Sequence, residues 1–494
     1  MATLEEEVAG LTTATTDLLT AVNVKKATLD DSVATASDQA VIATTKASEA
    51  SVSGSTATTK AAEAVAARDE AVAVVYSGTS AIEPEAGKIP VARADGTLSP
   101  AWLPGSEMDY IGIAYNPLTQ TFKRLGAAEG LPLGALANMQ SSPVLANLRR
   151  VVLADDGSVY KGISWLDFTK HEDGTAVALD GTNGQIMMEY LPAYYKTDVV
   201  GDWQRMMVSH LPLPGYSLFP LFEGKDAAYR GAYEASTYLG KLCSISKSPV
   251  DGIANVYPVT TRAGDWGHAS LTAPAIDALA AARGAGWRQS HLMSMTWERI
   301  LMLVAFGTYN IPGVVGDGRI NLSSGVWEND SYIGPLGLGD AAAGLYSAVQ
   351  AGGTAGFLAD YATCLGIENP WGHVWERVQS LISDGEVYHG GTDYASIVGW
   401  ERLLDAEGAG ITLPPASGYG GTPHSGLGLW MPEDTTGTST AGMFDYYYYA
   451  AGVLLVGGYA CSGTNAGPFY VYVRSSANTN AHFGGRLCYE RTSA

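Results

Sequence analysis

The sequence predicts a multidomain chain: an N-terminal α-helical coiled-coil stalk, a short β-rich middle segment and a C-terminal α+β domain. Three observations predict it. An apolar seam at heptad spacing opens the chain, and a Pro/Gly-rich stretch follows. From residue 106 on, short alternating strands broken by glycines surround two helical patterns. The bounds read as 1–76 for an oligomerisation or attachment stalk, 77–105 for a linker, 106–180 for a β-rich shaft or collar, and 181–494 for the C-terminal domain. A length of 494 residues suits several domains.

The stalk rests on Leu4, Val8, Leu11, Thr15, Leu18 and Val22, spaced alternately by 4 and 3 residues. After Leu29 the seam thins into Ala, Thr and Ser. There ATTKASEAS (43–51) returns as ATTKAAEAV (57–65), an offset of 14 residues, or two heptads. An alanine seam buries little area, so a lone copy is marginal. A parallel multi-chain stalk is one reading, and a flexible solvated tail is the other. Residues 77–105 carry four prolines and an Asp95-Gly96 turn, the composition of a linker. Strands are expected at Tyr110–Tyr115, Arg149–Ala154 and Val159–Ile163, with a hairpin turn at Asp155-Asp156-Gly157. Helices are expected at Ala273–Arg283, ended by Gly284, and within 286–310. In the second, Met295, Ile300, Leu301, Val304 and Ala305 share an apolar face and Gly307 is the stop. Residues 383–494 alternate strands with Gly-rich turns.

Charge narrows the function. The net charge is −21 with 29 basic residues, and no Lys/Arg cluster is present. A groove for nucleic acid needs such a cluster to neutralise phosphates, so nucleic acid is not an expected partner. An electrostatic grip on anionic membrane is excluded by the same argument. No Sec-type leader and no membrane-length apolar run is read, which places synthesis in the cytosol. Tyrosines number 27 against 9 phenylalanines, a bias suited to adhesive surfaces, where a ring and a hydroxyl act together at low entropic cost. Cys243, Cys364, Cys461 and Cys488 lie far apart without zinc spacing. They read as buried thiols, with a Cys461–Cys488 bridge left open.

Several stretches resemble known phage proteins. The helical repeats followed by GKIPVARADGTLSPAWLP resemble the shafts of tailed-phage tail fibres. RVVLADDGSVYKGI and GTNGQIMMEYLPAYYK (181–196) resemble a tail-fibre segment that leads into a C-type-lectin-like domain. GIENPWGHVWERVQSLI (366–382) resembles the GNVWEWV signature of formylglycine-generating-enzyme-type lectin folds, with His373 in place of Asn and Arg377 in place of the second Trp. The closing GGYACSG and FGGRLCYE resemble the variable region of phage major tropism determinants. The resemblance covers roughly 180–494 and implies a C-type-lectin-like domain that displays recognition residues on a static backbone, in a homotrimer. It further implies a virion location and attachment to phage tail or baseplate proteins through the N-terminus. The receptor would be a polysaccharide or outer-membrane protein of the bacterial host. The expected function is a non-catalytic tail-fibre adhesin that sets host tropism.

The contact residues follow from strand periodicity. In GPFYVYVR, Phe469, Val471 and Val473 share one face; Tyr470, Tyr472 and Arg474 share the other. Two aromatics and a guanidinium are the residue types that dominate binding hot spots. Asn465, Ser475, Ser476, Asn478, Asn480 and His482 add hydrogen-bonding capacity. Tyr446 and Tyr448 of the DYYYY run and Tyr459 complete the candidate receptor-binding set, with two of the four consecutive tyrosines expected to face the core. The competing reading of Tyr470 and Tyr472 is packing against a neighbouring subunit. Trp371 and Trp375, four residues apart, read as core residues on one helix or turn face. His373 reads as a structural histidine, and Phe483-Gly484-Gly485-Arg486 as a closing strand. No cofactor or metal is expected, because the calcium motif of sugar-binding lectins is not reproduced. The alternative function is a glycan-cleaving tailspike, or depolymerase. It calls for paired carboxylates, usually on a coil repeat of ~20–30 residues, and no such repeat is read after residue 106.

Overall fold

A computed structural model describes residues 109–492, except 137–141, 143, 252, 254, 260–270, 321–332, 342–345, 350–358 and 481. It also describes the short parallel strand pair Ser80–Ala81 and Ile89–Pro90. The chain divides into two units, Met1–Asp109 and Tyr110–Ala494. The coiled-coil stalk expected over residues 1–76 lies outside the described residues.

The expected fold class is corrected by what is described. Beyond residue 109 the chain is mostly β-sheet. Its α-helices among the described residues are Ala273–Ala281, Leu292–Phe306 and the single turn Pro312–Val315. The physical reason is composition: short runs of Val, Tyr, Ile and Thr separated by glycines pair into ladders at nearly every opportunity. Only two stretches keep a helical period long enough to compete.

Three sheets carry the fold. One has five strands, in the order Ser217–Leu218, Tyr194–Val200, Trp203–Ser209, Ile111–Asn116 and Thr121–Gly126. A second has six antiparallel strands: Trp287–Gln289, Leu487–Thr492, Lys225–Gly231, Gln185–Tyr190, Arg149–Leu153 and Val159–Ile163. These pairings cross the expected boundary at 180/181: Ile111–Asn116 pairs with Trp203–Ser209, and Arg149–Leu153 pairs with Gln185–Tyr190.

The third sheet is mixed, in the order Gly418–Tyr419, Tyr446–Tyr448, Val471–Arg474, Val453–Val456, Trp375–Arg377 and Phe483–Gly484. Its inner face, with Tyr447, Leu454, Val456, Val471 and Val473, joins the largest hydrophobic cluster. The long helix Leu292–Phe306 and Ile111, Ile113 and Val208 of the five-stranded sheet belong to the same cluster. The expected stop at Gly307 is present: this residue takes a left-handed φ of 66° and its N–H reaches Leu303 O. The expected amphipathic character is not, because every residue of the helix is buried. Its two charges are matched inside the core. Glu298 pairs with Arg230 and with Arg299 (2.9 Å), while Glu376 pairs with Arg230 and with Arg486 (3.1 Å). Arg124 donates to the helix's terminal carbonyls at Val304 (2.9 Å), Ala305 and Phe306 (both 3.3 Å), which caps the buried end.

Candidate functional site

The outer face of the mixed sheet holds most of the predicted contact residues. Strand register sets them in rows. Tyr419 pairs with Tyr446 and Trp375 with Phe483, while Tyr448 pairs with Tyr472, Tyr472 with Leu455 and Leu455 with Arg377. Since cross-strand partners share a face, these side chains tile one surface. The alternation along 469–474 separates as the sequence suggests. Phe469, Val471 and Val473 are buried in the core, and Tyr472 and Arg474 are half-buried on the outer face.

The rings interlock edge to face. Tyr448 meets Tyr472 at 4.7 Å and 85°, Tyr419 meets Tyr446 at 5.1 Å, and Tyr446 meets Tyr470 at 6.0 Å. Beneath them lies Trp375, 4.6 Å from Tyr470 and 5.2 Å from Tyr472, with Tyr459 stacked at 6.2 Å. The Arg474 guanidinium stands 4.5 Å from the centre of the Tyr472 ring and 5.6 Å from that of Tyr448.

Two of the predicted residues are covered. Tyr470 is 8% exposed, packed among Trp375, Tyr446 and Tyr459, and His482 is 7% exposed, stacked 4.3 Å from Tyr459. They support the surface rather than form it. In the tyrosine run only Tyr447 faces the core; Tyr446 is half-buried on the outer face, and Tyr448 and Tyr449 are 42% and 45% exposed. Asn465 is half-buried and its side chain accepts from the Tyr419 hydroxyl, which fixes that ring. Asn478 and Asn480 are half-buried in the loop after the strand. Asn478 Oδ1 accepts from Thr479 N (3.1 Å), so part of its polar capacity is spent locally.

Sequence reasoning missed three supports. Trp375 is expected in the core on one helix or turn face with Trp371, and 366–382 is turn and strand. Asn369, Gly372 and His373 take left-handed φ values of 46°, 73° and 56°. That turn sends Trp371 into the main core and Trp375 under the tyrosines. Arg377, fully buried, donates to Asn478 O and to Ser476 O (3.5 Å), tethering the polar loop from below. Burial lowers its pKa to about 10, still charged at neutral pH. Asp445 is buried behind the sheet and accepts from Phe469 N at 2.7 Å, which sets where the contact strand begins. Burial raises its carboxyl to about 8. His373 is structural: Nδ1 is 2.5 Å from Glu234 and Nε2 accepts from Gly334 N at 3.0 Å.

Elsewhere, a cleft of about 420 Å³ is lined by Asp155, Asp180, Lys241, Cys243 and Arg283. Its charges answer one another, with Asp155 paired to Arg283 and to Lys241 (3.2 Å). None of the four cysteines forms a disulfide. Among the described residues no group of three or more His, Cys, Asp or Glu is placed to hold a metal ion, and no helix is long and apolar enough to cross a membrane. No protein-family model matches this chain. No curated protein matches it either.

Proposed function

We propose that this chain is a non-catalytic adhesin of the phage tail-fibre kind, which binds a receptor on the bacterial surface and thereby sets host range. The observation that carries the reading is the outer face of the mixed sheet. Tyr446, Tyr448, Tyr472 and Arg474 stand partly open on strands whose other face is anchored in the core, with Tyr459 in the loop after Val453–Val456. Such a face is preorganised, so binding costs little ordering entropy. Assembly as a homotrimer carried on a virion, joined to tail or baseplate through the N-terminal residues, belongs to the same proposal. Trimerisation would multiply weak individual sites through effective concentration.

The test uses the labelled full chain on bacterial cells stripped of either polysaccharide or surface protein. Tyr448→Ala combined with Tyr472→Ala is expected to lower adsorption by roughly 10-fold or more, at about 1–2 kcal/mol for each hot-spot ring. The melting temperature should shift little, because neither ring belongs to the largest hydrophobic cluster. Undiminished adsorption by the folded double variant would remove this face as the site. Release of oligosaccharides from host polysaccharide by purified protein would replace the adhesin reading with the depolymerase one.

A further inference from the structure

Arg474 differs from most cations among the described residues in having no carboxylate beside it. With 29 basic residues among 50 acidic ones, basic side chains find carboxylates readily. Arg205 sits on Asp198, Arg402 on Glu386 and Lys161 on Asp173. Arg474 has no ion pair and no hydrogen bond among the described residues, and its Nε is shielded from solvent without a partner. Its cross-strand neighbour is Val453, which offers no acceptor. The guanidinium is held in place by packing alone, over Tyr472 and beside Tyr448. A planar fork of donors, oriented and unsatisfied, matches a carboxylate in two parallel hydrogen bonds.

Resting on the adhesin reading above, we infer that this face takes an anionic polysaccharide, with Arg474 holding the carboxylate of an acidic sugar while Tyr472 and Tyr448 pack against pyranose faces. The aromatic rows suit sugar rings, which bring apolar C–H faces to a tyrosine and hydroxyls to its rim. The loop beside Arg474 supplies partners for those hydroxyls through Ser475, Ser476, Asn478 and Asn480. A protein receptor is the poorer fit. The platform's side chains are mostly half-buried, so it offers a few ring faces rather than the roughly 800 Å² per partner of a standard protein interface. The net charge of −21 sharpens the point: non-specific attraction to an acidic polymer is absent, and recognition must come from a local cation.

The experiment takes surface polysaccharide from cells to which the full chain adsorbs. Binding is measured to the native polymer, to the polymer with its carboxyls reduced to alcohols, and to the polymer stripped of phosphate. The expected result is a loss of about 10- to 100-fold on carboxyl reduction, the worth of a charge-assisted bidentate pair. Removal of phosphate should leave binding unchanged. Arg474→Gln should lose a similar factor on the native polymer and nothing further on the reduced one, with Arg474→Lys in between. The reduced-polymer arm needs no variant, so a folding defect cannot mimic the result. Equal binding to native and reduced polymer overturns the inference, as do dependence on phosphate and an Arg474→Gln protein that binds as wild type. Capture of a surface protein by the same face overturns it too, while leaving the adhesin reading intact. Failure to adsorb to any cell defeats the adhesin reading itself.

Discussion

At the residue scale, Asp445 ties the contact face to pH. Its carboxyl accepts the Phe469 N–H, and a Cβ at Gly467 would fall against its oxygens, so the turn closes tightly around it. Burial raises the folded pKa to about 8, against about 4 in an unfolded chain. Between those values the folded state holds a proton that the unfolded state has released. Stability from this group is therefore complete below about pH 4 and declines as pH rises toward 8, by at most about 1.4 kcal/mol per pH unit. Asp445→Asn keeps the acceptor and the shape without the titration. Melting curves from pH 5 to 9 should show wild type losing stability relative to the variant as pH rises. Parallel curves would mean that the carboxyl titrates normally.

At the scale of elements, the buried charges join the long helix to two sheets. Glu376 lies on the inner face of the strand whose outer face carries Trp375 and Arg377. Burial pushes its carboxyl up, but Arg230 and Arg486 outweigh this and hold it at about 2. Its contribution is present above the ordinary carboxylate range and fades as pH falls toward 2. Glu376→Ala leaves Arg486 without a carboxylate in the core and Arg230 with Glu298 alone, and should cost about 3–5 kcal/mol in denaturant unfolding. Glu376→Gln, which keeps one acceptor, should cost less. The same element shows what the sequence makes legible. Strand Val471–Arg474 could be read because period-2 alternation is a local signal, and the end of the long helix could be read because Gly307 is one. The helix's full burial could not. It depends on Glu298 meeting Arg230, 68 positions away in sequence, and no local pattern announces that pairing. The turn at 369–373 is only partly marked: Pro370 and Gly372 signal it, but the left-handed conformations of Asn369 and His373 have no local sign.

At the scale of the whole molecule, the chain beyond residue 109 behaves as one unit because its sheets are threaded by both ends. The C-terminal strand Leu487–Thr492 pairs with Lys225–Gly231, which pairs with Gln185–Tyr190, which pairs with Arg149–Leu153. A fragment spanning 181–494 therefore leaves Gln185–Tyr190 as a raw edge, a template for aggregation. It also removes Ile111, Ile113 and Tyr115 from the central cluster, at about 1.5–3 kcal/mol for each large side chain. With Arg124 absent, the terminal carbonyls of the buried helix lose their donors, a further cost. These losses together are comparable to the roughly 5–15 kcal/mol by which a domain is usually stable. The fragment 181–494 should thus show no cooperative thermal transition and be digested throughout by protease, whereas 106–494 should melt cooperatively. The contact face would be lost with the rest, since its strands are held by the same central cluster, so adsorption should follow folding in both fragments. A cooperative melt of 181–494 near the temperature of 106–494 would establish the boundary at residue 180 and make the upstream strands an appendage.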